Sequence, residues 1–456
     1  MSDLLGSLSM AARSMAAQQA GLDTTGQNIA NINTPGYTRR IAEFVAAPPI
    51  DPLSAGNGVD VVAIRAARAD LLEAQLRKEQ PALGRDAAMA ESLSQVEAAL
   101  GSAGSSVDAG LTKFFNAFSQ LSQDPTSGVA RQQVTVQGQE LANTFNEVAT
   151  RLTAAQRDTD VQVKSSVDQI NALAAQIASL NAAIGGVSQT AGEALRDKLG
   201  VALSSLSQLV DIGVVPRSNG GADVSVGNGR ALVIGASTYQ LGVSPAAGSG
   251  LTDLTSGGVV ITSEVKGGRV GGLLQVRDTQ LPGYISRLDQ LAYDLATTIN
   301  TAHKAGFDLN GNPGGDFFAP LASAAGAASA MKVSAAVSAN GNLIAAAGTA
   351  DAGDNQTARA ITNLQRTPLG AGTTSPIDTW GALIYSVGTD SKTAANNKSG
   401  RDEIVRQLQT LRDQVSGVSL DEEAGNLQKF QRAYEANARY FSAIQTSLDV
   451  LMQMVS

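Results

Sequence analysis

The chain has 456 residues, room for about three domains at roughly 150 residues each and for a core that needs no disulfide or metal staple. Charged residues make up 16% of it and the formal net charge is −8, an acidic balance that argues against a dedicated nucleic-acid binder, whose footprint is basic. With no Cys and one His, the chain has no cysteine nucleophile, thiolate metal site or multi-histidine zinc centre, and a serine–histidine–aspartate hydrolase would rest entirely on His303.

The first thirty residues carry an apolar seam. Leu8, Met15, Leu22 and Ile29 recur every seven residues, and Leu4, Ala11 and Ile32 fill a second set of positions, with Gln18 and Thr25 as polar interruptions. That heptad spacing predicts a coiled-coil-like helix. It ends at Asn33-Thr34-Pro35-Gly36-Tyr37, because proline cannot continue a helix and Pro-Gly fits a type II turn. A hairpin is predicted next, with strands at 40–45 and 58–64. A helical block follows over 66–100, which Pro81 is expected to kink or interrupt. Asp108 is placed to cap a short helix, and Asp124-Pro125 reads as the cap of another. From about 129 to 184 the helical spacing does not break, predicting a rod roughly 80 Å long at about 1.5 Å per residue. Thr190-Ala-Gly-Glu193 reads as a capping box opening one more helix.

Glycine becomes dense from about 211. Val224–Val226 and Ala231–Ile234 flank the turn pair Asn228-Gly229, so a strand hairpin is predicted. Val259–Ile261 and Gly272–Val276 are further strand candidates, and a helix is expected near 281–303. The C-terminus returns to heptads: Leu427, Tyr434, Phe441, Leu448 and Val455 on one set, Phe430, Ile444 and Leu451 on the other, with Asn437 as its polar member. Ser419-Leu-Asp-Glu422 reads as the capping box that opens this helix.

The expected fold is therefore α+β and multi-domain. A helical, coiled-coil-like domain takes in both chain ends, 1–210 (with the hairpin near 40–64) and 397–456, and a β-rich middle occupies 211–396. The two terminal helices can pair with each other, with another chain, or both.

Gly26-Gln-Asn28-Ile-Ala-Asn31-Ile-Asn33-Thr34-Pro35-Gly36-Tyr37-Thr38-Arg39 resembles the N-terminal signature of bacterial flagellar rod, hook and hook-associated proteins. Ser416–Ala424, Asn426-Leu427 and Gln431–Ala438 resemble the same group's C-terminal signature, in the Val-Ser-Leu-Asp-Glu-Glu-Ala form typical of the hook-associated protein 1 family. Asp124-Pro125 with Arg131, Ile177–Asn181, Leu195-Arg-Asp197, Gly271–Leu274 and Asp308–Phe318 are similar too.

The resemblance implies a non-enzymatic structural protein with no cofactor and no bound metal. It would form the first junction zone between hook and filament, assembling through its terminal helices. It implies a helical domain made from both ends, lining the axis, with β-rich domains outside. Implied partners are further copies of the chain, the flagellar hook protein, the second hook–filament junction protein, and an export chaperone with the export apparatus. Nucleic acid and membrane insertion are not expected. The first residues do not read as a signal peptide, and that alone would suggest cytoplasm. The resemblance instead implies an extracellular location, reached through the flagellar export channel without cleavage. The chain is compact for the family, so an outer inserted domain is expected to be reduced or absent. A hook or rod protein stays open as an alternative, and from other classes a carboxylate-dependent secreted hydrolase or an adhesin.

The assembly residues expected from this reading are Leu8, Met15, Leu22, Ile29, Leu427, Phe430, Tyr434, Phe441, Ile444, Leu448 and Leu451. Asn28, Asn31 and Asn33 have two readings, helix-end and turn chemistry or subunit contact and export recognition. Tyr37 is expected to pack over the turn. His303 reads as a helix-end histidine near a carbonyl, Trp380 as core, and Asp308–Asn312 as a turn, because Pro313 and Ala319 stand where a calcium loop needs Gly and Glu.

Overall fold

A computed structural model describes residues 2–48, 57–100, 106–187, 192–248, 250–370 and 372–455. Helix α1 (Ser2–Ala30) leads through the turn into the antiparallel pair β1 (Arg40–Ala46) and β2 (Val59–Ala66). Tyr37 N donates to Thr34 O at 3.1 Å and Gly36 has φ +77°, so the turn has the type II geometry that Pro35-Gly36 encodes. A Cβ at Gly36 would also sit 2.2 Å from Val201, so glycine is required there twice over.

Helices α2 (Asp70–Leu100), α3 (Val107–Gln123), α4 (Gly128–Gly185) and α5 (Glu193–Leu209) follow. Helix α4, 58 residues long, extends about 87 Å. Two local expectations are corrected. Ser106, not Asp108, stands at the N-terminus of α3. Helix α4 is capped by Ser127, whose Oγ accepts from Ala130 N, while Asp124 Oδ1 accepts from Thr126 in a tight turn. The Thr190 cap expected for α5 lies outside the described residues.

Pro81 does not break α2. The helix packs along α5, α6 and α11, and Gln80 beside the proline bonds Ser204 and Ser207 of α5. Tertiary contact on three sides outweighs the roughly 3 kcal/mol that an interior proline costs.

Two small antiparallel sheets come next. One has the order β3 (Ile212–Pro216), β4 (Ala222–Val226), β5 (Arg230–Ile234), β6 (Ser237–Thr238), and the other β7 (Leu241–Pro245), β8 (Thr252–Ser256), β9 (Val259–Val260). The Gly227–Gly229 turn joins β4 to β5, with Gly227 and Gly229 at positive φ. The strand expected at 272–276 is instead helix α6 (Gly268–Gln275). Gly271 and Gly272 explain it: a Cβ there would lie 2.4 Å from Lys266 C and 2.3 Å from Arg85 O, so they let this short helix press against its neighbours. A buried apolar run of that length does not distinguish helix from strand by periodicity.

A π-helical turn, Val276–Gln280, carries α6 into α7 (Leu281–Lys304). Residues 305–370 hold isolated bridges and the short helices α8 (Ala327–Ala330), α9 (Ala335–Ala339) and α10 (Gln356–Asn363). Helix α11 (Pro376–Ser416) and helix α12 (Leu420–Val455) close the chain. The expected limit at 396/397 therefore falls inside α11, and the strands of the middle end at Val260.

Two buried clusters form the body. One gathers α3, the first half of α4, α7, the 317–361 segment and the start of α11, including Trp380. Phe114, Phe118, Phe317 and Phe318 stack in it with ring centroids 4.9–5.8 Å apart. The other packs both sheets against the second half of α4, α5 and α6.

Asparagine side chains fasten strand ends and irregular backbone to helices by one repeated device. Asn171, Asn181 and Asn300 each donate Nδ2–H to the carbonyl of one residue and accept that residue's N–H on Oδ1. The residues held are Leu241, Ala222 and Phe318, at 2.7–2.9 Å. Each side-chain amide stands in for the neighbouring strand that the segment lacks, which keeps its buried backbone groups paired.

Candidate assembly interface

Helices α1 and α12 run side by side, and their other main neighbour is the β1–β2 hairpin against α1. Among the described residues, neither buried cluster includes a side chain of α1 or α12. The terminal pair is thus a separate arm. Phe430 seats over Gly21, where a Cβ would lie 2.9 Å from its ring, and stacks at 5.7 Å on Phe44 of β1.

Along the arm, Leu8, Met15, Leu22, Ile29, Leu427, Phe430, Tyr434, Phe441 and Leu448 are half-buried and Ile444 is buried. Leu451 departs from the pattern: it is 39% exposed, together with Val450, Met452 and Met454. The overhang explains it. Phe430 opposite Gly21 sets a register in which α12 runs on past the start of α1. The side chain of Val455 lies outside the described residues. Two helices bury one stripe each, so much of this apolar seam keeps an open side.

The root of the arm is polar and buried. Asn28, 1% exposed, applies the asparagine device to Arg40: its Nδ2 donates to Arg40 O at 2.9 Å and its Oδ1 accepts from Arg40 N at 2.8 Å and from Tyr37 Oη at 2.9 Å. Arg40 and Arg68 converge on Glu193 and Asp197 of α5, with Arg68 Nη2 2.9 Å from Asp197 Oδ1. The Arg40 guanidinium also lies 5.3 Å from the centre of the Tyr37 ring, a cation–π contact. Burial pushes the Tyr37 hydroxyl up, and it pushes the Asp197 carboxyl up against the pull of Arg40 and Arg68.

The two ends of the chain meet here. Arg39 N donates to Ser416 O at 2.9 Å, and Ala69 N donates to Ser416 Oγ at 3.1 Å. The Arg39 side chain pairs with Glu422 and Glu423 at 2.7 Å each. Glu422, expected to close a capping box, turns to Arg39 instead. Glu423 is 1% exposed, so its carboxylate is buried against that partner.

Asn31 caps the helix end, donating to Gln27 O and accepting from Thr34 Oγ1, while Asn33, Thr34, Pro35 and Gly36 are exposed on the turn. Arg40, Arg68, Glu193 and Glu423 were not among the residues singled out from the sequence as site candidates. A signal was present: in a chain with only 16% charged residues, the doublets Arg39-Arg40 and Glu422-Glu423 stand out.

His303 is fully buried. Its Nδ1 lies 2.8 Å from Gly315 O and its Nε2 accepts from Ala345 N at 2.8 Å, so the neutral ring ties α7 to the irregular segment. Burial holds its pKa below the usual histidine value, against the pull of the Gly315 carbonyl. Asp308 accepts from Asn310 N and Asn312 N, which makes its segment a turn.

Comparison with known proteins bears on the same elements. The family described as the flagellar hook-associated protein FlgK helical domain matches residues 93–318, from α2 through both sheets to the end of the Phe317-Phe318 pair. Flagellar hook-associated protein 1 of Bacillus subtilis is 29% identical, over 97% of this chain and 96% of its own length. The chain is a homologue of flagellar hook-associated protein 1 along nearly its whole length. It is a structural protein of the bacterial flagellum.

Flagellar hook-associated protein 1 of Escherichia coli is 28% identical, over 96% of this chain and 97% of its own. The flagella basal body rod protein family matches residues 8–38 and the flagellar basal body rod FlgEFG protein C-terminal family matches 413–454, which are the two helices of the arm. A solved flagellar hook junction protein FlgK from Burkholderia pseudomallei superposes with a TM-score of 0.67 at 18% identity, over 75% of this chain and all of that one, so the fold is shared. The alignment with the E. coli hook-associated protein runs over 535 positions against 456 residues here, so that relative carries segments this chain lacks. No helix among the described residues is long and apolar enough to cross a membrane.

Proposed function

We propose that this hook-associated protein forms the first junction zone between hook and filament, and that copies of it assemble through the α1–α12 arm. One observation carries the reading: the arm stands outside both cores, and its apolar seam is only half covered. An apolar stripe open to water is unfavourable by about 25 cal/mol per Å². Neighbouring copies, the hook protein on one side and the second junction protein on the other, would complete the burial. The match of 93–318 to the hook-associated helical domain favours this over a rod or hook protein, since the terminal matches belong to the rod group as well. On this reading the chain leaves the cell uncleaved through the flagellar export apparatus, with a chaperone covering the α12 seam, and acts outside the cell. Asn33, Thr34 and Pro35, exposed on the turn, are available for subunit contact.

The test is a strain that produces Tyr434→Asp/Phe441→Asp as its only copy. It is expected to build hooks, shed filament protein into the medium and lose motility. Normal filaments and motility would overturn the proposal.

A further inference from the structure

A recess of about 160 Å³ lies at the root of the arm, between the 36–38 turn, α2, α5 and α11. Its lining is rich in hydrogen-bond donors. Arg68, Arg77, Arg196 and Arg412 line it against two carboxylates, Glu73 and Asp197. Asp197 is already committed to Arg40, Arg68 and the Thr38 amide. Glu73 reaches Arg77 only as a 3.6 Å ion pair, beyond hydrogen-bond length, so the Arg77 guanidinium keeps its donors free for the recess. Arg68 makes its bonds through Nη2 and retains a buried Nε–H that has no partner among the described residues. A buried unpaired donor on a cation is costly, and it marks a place where an acceptor belongs.

We infer that this recess binds a small tetrahedral oxyanion of the phosphate or sulfate class, which clamps α2, α5 and α11 to the root of the arm. Two considerations select the ligand. With the direct partners of the lining included, five arginines (Arg40, Arg68, Arg77, Arg196 and Arg412) face four carboxylates (Glu73, Glu193, Asp197 and Asp413), so the charge still missing is negative. The donors also come from separate elements, which suits an ion with acceptors on all sides, and guanidinium groups match such oxyanions in forked pairs. The inference stands apart from the junction reading, because it concerns the free chain.

The test is titration of the full chain with inorganic phosphate, followed by calorimetry and by melting temperature, against chloride at matched ionic strength. Phosphate is expected to bind saturably and raise the melting temperature, where chloride does not. Arg77→Gln and Arg412→Gln, both at partly exposed positions outside the apolar cores, are expected to weaken phosphate binding at least tenfold. Gln409→Glu, which places a fixed carboxylate in the lining, is expected to abolish it. Equal effects of phosphate and chloride would overturn the inference, as would variants that bind like the parent.

Discussion

Replacing Asn28 with alanine tests whether the N-terminal motif is structural chemistry or ordinary helix-end composition. The substitution removes one donor and one acceptor that together make three hydrogen bonds, to Arg40 O, Arg40 N and Tyr37 Oη. Each such bond contributes about 1 kcal/mol net, and a buried group left unpaired costs about 1–3 kcal/mol. Asn28 is 1% exposed, so water does not readily replace it. The expected loss is about 3 kcal/mol, equivalent to a rise of roughly a hundredfold in opening of the β1–β2 hairpin, since about 1.4 kcal/mol is tenfold. Native-state hydrogen exchange at the Arg40 amide reads this directly, and denaturant unfolding reads the global part. A change below about 0.5 kcal/mol, the size expected of a surface substitution, with Arg40 protection intact, would refute the reasoning and return Asn28 to a generic helix-end role.

Gly21→Val is expected to force Phe430 off α1 and to separate the arm, seen as faster exchange along α12 with the two cores unchanged. The buried pair of Arg277 and Asp160, 2.7 Å apart, joins the π turn to α4 and, through Thr252, to β8. Burial raises the Asp160 carboxyl, but bonds from Thr252, Lys164 and Arg277 outweigh it and hold the pKa below the usual value. Arg277→Met removes the buried cation and leaves the carboxylate only Lys164 and Thr252, so a loss of about 3 kcal/mol, the low end for a broken buried pair, is expected in denaturant unfolding. For His303 the folded pKa is depressed, so the unfolded chain binds the extra proton. Stability is therefore present above the unfolded value of about 6.5 and falls as pH drops below it, with a slope of up to about 1.4 kcal/mol per pH unit until the folded pKa is reached. His303→Gln is less stable throughout but is expected to lose that component of the slope between pH 6.5 and 5, measured by urea unfolding at each pH.

Much of the arm was legible before any coordinates. Heptads at both ends, the Pro35-Gly36 stop and the two terminal motifs depend on local spacing, and local spacing is what a sequence displays. The long helix α4 was legible for the same reason. The root was less so, because its bonds join residues far apart in the chain: Arg40 meets Glu193, and Arg39 meets Glu423. No periodicity marks such a pair. The misreading of Gly272–Val276 as a strand arose because a short run buried on all sides carries neither period. At Pro81 a local rule gave way to packing from three neighbours. The start of α11 at Pro376 was hidden by a Gly-, Ala- and Ser-rich stretch whose apolar stripe, Trp380, Leu383 and Val387, is short. The asparagine clamps were invisible, since a buried asparagine bound to strand backbone reads in sequence as an ordinary polar residue.

The central claim is that copies of this chain contact one another through the arm in the assembled flagellum. Because the chain has no cysteine, Tyr440→Cys on the exposed side of α12 supplies one unique thiol for a photoactivatable cross-linker. Irradiation of isolated flagella is expected to join the chain to a second copy of itself, with no adduct from the dilute monomer. Flagella that carry the labelled protein between hook and filament yet give no such adduct from α12 would contradict the claim.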